Sequence, residues 1–240
     1  MHRVKQSAAS WLVLGVVAAT AALPAAAEPF RAMPVDEASE VPELATLRDA
    51  LLAAVRARDV EAVVALADPH IVLSFGGDGG RETLRAWLEG DDETPWLGPE
   101  YWRQLQTALE LGGSFWHDEA GALRDFCAPY TFYADYPVEW DVFEVIVVIG
   151  DAVPMHAGPD AASAVVATLD HDVTRIVDNG SGFDPENPLA PYWVRVQTAD
   201  GAHEGWLLSD DFRSPVDYRA CFHMDEASGA WTWDAFVAGD

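Results

Sequence analysis

The chain is nearly devoid of lysine. Lys5 is the only one, so no residue after it can form a Schiff base or serve as a P-loop lysine. Positive charge of any kind is scarce, with 14 Lys plus Arg against 40 Asp plus Glu and a formal charge of −26. Such a field repels nucleic acid and anionic lipid, and it makes polyanions poor ligands. We therefore expect no nucleic-acid partner and assign the acidity mainly to solubility. Cysteine is limited to Cys127 and Cys221. No later segment is apolar for the roughly 20 residues that a membrane span requires.

Several catalytic patterns are missing too. Among the histidines His70, His117, His156, His171, His203 and His223, none forms H-x-x-x-H, and no C-x-x-C exists. There is no G-x-S-x-G, and Ser114 and Ser181 have no evident base. Asp178 to Glu186 offers oxygen ligands without the order of an EF-hand loop. His117-Asp118-Glu119 and Asp170-His171-Asp172 read as ordinary turn triplets. Gly76–Gly80 before Arg81 matches neither nucleotide-binding fingerprint and reads as a tight turn. With 40 acids, carboxylate pairs carry little information, and Glu82, Glu100 and Glu110 read as solvated helix positions. No catalytic residue, metal ligand or cofactor is assigned.

What is present begins with an export signal. A basic start with Arg3 and Lys5 precedes an apolar run from Trp11 to Leu23, then Pro24 and Ala25-Ala26-Ala27. This is the pattern of a signal peptide over residues 1–27, with a mature chain from near Glu28 in the periplasm or outside the cell. No cysteine sits at the cleavage point, so no lipid anchor is expected. Signal removal leaves 12 arginines against 40 acids, a charge of −28. In an oxidising compartment the two cysteines are candidates for a disulfide.

Periodicity divides the remainder near residue 140. Leu44, Leu47, Leu51 and Val55 recur at helical spacing after Pro42, and Asp59 can cap a second helix carrying Val63 and Val64. Ile71 to Phe75 reads as a strand. Helices then follow over 81–88 and from Pro99, the latter with Trp102, Leu105 and Leu109 on one face and stopped by Gly112-Gly113. Thr131 to Tyr133 reads as a strand. From Val142 short β runs take over at 142–149, 152–156, 164–169, 173–177, 192–198 and 204–208. A final hairpin spans 218–224 and 230–237. The expectation is an α+β protein: a mostly helical α+β unit over 28–140, then a small barrel over 141–240 with an added hairpin.

Within the second half, Val148 to Pro159, then Tyr192-Trp193-Val194-Arg195-Val196 with Asp200-Gly201, then Gly205-Trp206-Leu207-Leu208, together resemble the bacterial SH3 family. The chain departs from it in carrying Ala157 and Gly158 where the family has an arginine before Pro159. The tail from Asp217 resembles that of uncharacterised exported SH3-containing proteins, and the first half resembles the start of an NTF2-like cone. The SH3 resemblance implies an SH3-like barrel that binds peptidoglycan or envelope proteins.

Alternation puts Trp193 and Arg195 opposite Val194 and Val196. With the valines inside, Tyr192, Trp193, Arg195 and Trp206 become candidate ligand-binding residues. The same logic turns Arg219, Cys221 and His223 outward while Ala220 and Phe222 face the core; a Cys127–Cys221 bond would then staple the two units. The expected function is non-catalytic recognition of an envelope component, whether peptide, peptidoglycan or protein. The alternatives are a cell-wall hydrolase with its site in residues 28–140, for which a Cys127→Ala variant is the check, or small-molecule binding in a cone-like N-terminal domain lined by Trp87, Trp102 and Phe132.

Overall fold

A computed structural model describes residues 30–117, 123–181, 184, 187, 189–225 and 227–239. The signal segment, Asp118, Glu119 and much of the 178–186 loop lie outside the described residues. The protein is α+β, with four α-helices and two sheets among the described residues. Among the described residues no helix is long and apolar enough to cross a membrane.

Helix α1 (Pro42–Ala57) starts with proline in its first turn, where no amide partner is needed. It ends at Arg58, in the left-handed conformation. Asp59 caps α2 (Val60–Leu66) by accepting a hydrogen bond from the Ala62 amide at 3.0 Å. Strand β1 (Ala67–Val72) follows directly, starting four residues before the expected Ile71. It tolerates Pro69 because it lies at a sheet edge. Helices α3 (Arg81–Glu89) and α4 (Leu97–Glu110) come next, then β2 (Ser114–His117) and β3 (Leu123–Ala128). Thr131 to Tyr133, expected as a strand, instead belongs to a short 3-10 helix, Tyr130–Tyr133.

The β-rich half supplies β4 (Val145–Val148), β5 (Val153–His156), β6 (Val165–Leu169), β7 (Val173–Ser181), β8 (Trp193–Thr198), β9 (Glu204–Leu208) and β10 (Phe212–Arg213). These form one sheet in the order β10-β4-β7-β8-β9-β5-β6. Ile146 and Val148 of β4 share a core cluster with Val153 and Met155 of β5, near the sheet's opposite end. The sheet therefore wraps around its apolar face. No pairing joins β6 to β10, so the expected closed barrel is an open sheet among the described residues.

The C-terminal hairpin departs from the expected layout. Strands β11 (Arg219–Met224) and β12 (Trp231–Val237) do not extend the wrapped sheet. They insert into the first one, giving the order β1-β12-β11-β3-β2, with β12 parallel to β1 and β11 antiparallel to β3. The unit assigned to residues 28–140 is thus completed by the end of the chain, and the wrapped sheet is an insertion between β3 and β11. The physical reason is burial: Ala220, Phe222, Trp233 and Phe236 form an apolar face, and the helical layer is where it can be covered.

Cys127 and Cys221 are directly opposite each other on β3 and β11 and are joined by a disulfide. The bond lies within one sheet and does not staple one unit to the other. Strand β4 makes the apolar contact between units, beside backbone bonds from residues 30–32 to His171 and Val173. It is buried on both sides, with Val145 and Val147 packing against Ala32 and Tyr130 while Ile146 and Val148 face the wrapped core.

A crosslink between residues 94 apart restricts the unfolded chain strongly. The double variant Cys127→Ser/Cys221→Ser should therefore lose about 4 kcal/mol in a urea titration. An unchanged midpoint would show that the link contributes nothing.

Candidate functional site

Three surfaces carry chemistry. The first is the outward face of β8 and β9, where Val194, Val196 and Leu207 point inward and are buried. Trp193 and Trp206 are half-buried on the other face, and Arg195 between them is directly opposite Trp206. Arg195 forms an ion pair with Glu204 at 2.5 Å, and the Trp193 ring meets the buried His156 edge-on at 5.4 Å. Next to them the edge strand β6 exposes Val165 and Val166. Tyr192 does not join this row. Its backbone bonds Ser209 and its ring turns toward the helical unit, where burial pushes its hydroxyl pKa upward.

Tyr192 lines the second surface, a cleft of about 330 Å³ between α4 and the wrapped sheet. The helix contributes Glu100, Arg103 and Gln104, from the stripe opposite its buried Trp102, Leu105 and Leu109. Arg103 bonds both Glu100 oxygens at 2.8 Å, and the Gln104 amide nitrogen bonds Oε1 of Glu100 at 2.7 Å. Opposite stands Arg213, only 5% exposed, donating from Nη2 to the Tyr218 carbonyl at 2.9 Å. Asp210, Asp217 and the aromatic rings of Phe212 and Tyr218 complete the walls.

The third surface is the outer face of the five-stranded sheet. The disulfide lines a hollow of about 390 Å³ with Trp116, Phe132, Tyr133, Asp125 and Asp234. The outward face expected for Cys221 and His223 is this one, while Ala220 and Phe222 are buried. A register shift opposite Cys221 and Phe222 makes Asp234 the extra, bulged residue between Trp233 and Ala235. Burial there pushes the Asp234 carboxyl up to about 6, with Asp125 and Asp68 adding to the effect and His223 opposing it. His223 itself sits 2.7 Å from Asp125.

The remaining sequence candidates have structural partners. Cys127 is disulfide-bonded, so it offers no thiolate for hydrolysis in this oxidation state. His171 lies between Asp151 at 3.2 Å and the Tyr130 hydroxyl at 3.4 Å. The Gly76–Gly80 turn uses positive φ at Gly77 and Gly80, and Arg81 bonds the carbonyls of Ala65 and Ala67, so it is not directed at an anion. Trp87, Trp102 and Phe132 do not share a cavity: Trp102 is in the helical core, Trp87 stacks on Tyr101, and Phe132 is across the sheet. Among the described residues no group of three or more His, Cys, Asp or Glu could hold a metal ion.

Comparison with family models, with curated proteins and with solved structures found no match to this chain. Function must therefore be argued from the three surfaces themselves. The cleft escaped sequence reading because Glu100, Arg103 and Gln104 look like an ordinary solvated helix stripe. Alternation with Phe212 on the wrapped core turns Arg213 away from it, so no local signal marks that arginine as buried.

The folded chain holds the Asp234 proton to higher pH than the unfolded chain, whose carboxyl titrates near 3.8. The unfolded state thus binds fewer protons between about pH 4 and 6, and stability falls as pH rises through that window. Asp234→Asn should match the parent near pH 4 and exceed it above pH 6. The gain should be on the order of 1 kcal/mol after allowance for partial solvent exposure. Thermal melts at both pH values check this, and a constant difference would contradict it.

Proposed function

We propose that this protein is a non-catalytic recognition module of the bacterial envelope, binding a peptide-bearing component through the outward face of its wrapped sheet. The observation that carries the reading is the row Trp193, Arg195 and Trp206 on adjacent strands. It presents two half-buried indole rings around one cation. Such a surface can stack on sugar rings or grip the plane of a peptide. Three segments support reading the sheet as an SH3-like barrel left open. Val148–Pro159 contains β5, Tyr192–Val196 opens β8 and Gly205–Leu208 forms most of β9, and β8-β9-β5 are consecutive neighbours.

The charge of the mature chain favours neutral or cationic partners and disfavours nucleic acid. The signal-like N-terminus and the disulfide are both consistent with an oxidising extracytoplasmic compartment.

Co-sedimentation with purified sacculi tests the reading. The parent protein should be retained, and Trp193→Ala or Trp206→Ala should weaken retention about tenfold, the scale of an aromatic anchor. Lack of retention by the parent would overturn wall recognition. Clearing of wall material in a zymogram would overturn the non-catalytic assignment.

A further inference from the structure

Two buried polar atoms in the cleft between α4 and the wrapped sheet have no hydrogen-bond partner: Nε of Arg213 and Oε1 of Gln104. Both side chains line the same cavity. The amide of Gln104 is oriented by Glu100, which accepts from Nε2 and leaves the oxygen directed elsewhere. For Arg213, Asp217 is the only carboxylate within ion-pair reach among the described residues, and it stands 4.0 Å from Nε, too far for a hydrogen bond. Burial lowers the arginine pKa, which is the mark of a desolvated charge with too little compensation. Native proteins leave few such groups unsatisfied, because each one costs about 1–3 kcal/mol. The two atoms lie just beneath the wall of one cavity, shielded from solvent as the side chains stand, and a turn of either side chain would present a donor and an acceptor to a ligand that supplies both complements.

The surrounding charges narrow its class. Arg103 and Glu100 neutralise each other, so a simple anion would meet Arg213 but also Asp210 and Asp217. A simple cation would satisfy the acids and leave Arg213 unpaired. A ligand with both charges at opposite ends resolves the conflict. The cavity of about 330 Å³ is at the small end of ligand sites, sized for something like a dipeptide.

We propose that this cleft is a binding site for a zwitterionic amino acid or dipeptide, its carboxylate on Arg213 and its ammonium toward Asp210. A backbone N–H of the ligand donates to Oε1 of Gln104. Small side chains lie against Phe212 and Tyr192. The site is separate from the tryptophan row, so the proposal does not depend on wall recognition.

Isothermal titration of the full mature chain with alanylalanine, in both its L,L and D,D forms, tests this. A ligand of this size should bind at least one form with a dissociation constant of about 1 mM. N-acetylation or C-terminal amidation of that form should each weaken binding at least tenfold. Binding of neither form overturns the proposal, and so does equally tight binding of either blocked form.

The location is tested with Asp210→Asn, Gln104→Leu and Arg213→Met. Asp210→Asn should weaken alanylalanine about tenfold and leave the N-acetylated form unaffected. Gln104→Leu should weaken both. Arg213→Met should abolish carboxylate-dependent binding; should it fail to fold, the two milder variants decide. Unchanged affinity in both of those would place the ligand elsewhere and overturn the assignment. Sacculus retention is measured separately on the same preparations, so failure of one reading leaves the other standing or falling on its own result.

Discussion

The pairing of β3 with β11 is the contact on which the rest of the fold depends. Phe126 faces Phe222 on the buried side and Cys127 faces Cys221 on the open side, so one seam is held by aromatic packing below and a covalent bond above. Through this seam the last strands of the chain close the sheet that covers the helices. Without it, the apolar faces of α1 and α4 would lose Phe222, Trp233 and Phe236, all fully buried against them. The wrapped sheet is anchored to the same seam, since it occupies the stretch between β3 and β11.

Much of the local structure was legible. Pro42, Asp59 and Gly112 mark helix limits through backbone rules that hold in any context, and the alternation of Val194 and Val196 fixed which face of β8 is buried. What stayed hidden was non-local. The hairpin of β11 and β12 reads as a hairpin from its turn residues, but nothing in a single strand's pattern says which sheet it joins. Thr131 to Tyr133 has strand-forming residue types, yet Tyr130 and Thr131 are buried in a short helical turn where packing overrides propensity.

The candidate sites divide in the same way. Trp193, Arg195 and Trp206 lie together, while Tyr192 has the parity of Val194 and Val196 and accordingly packs on the core side of the wrapped sheet, at the cleft. Arg213 and Gln104 come from distant elements and meet only after the insertion folds against α4.

The topology of the insertion has a mechanical result. A domain hung on one linker can swing, but this one leaves the first sheet at β3 and returns to it at β11, strands that are direct neighbours and share a crosslink. Its entry and exit therefore stand side by side, and what resists swinging about them is the packing of Val145 and Val147 on Ala32 and Tyr130, so the spacing of the cleft walls depends on that one apolar patch.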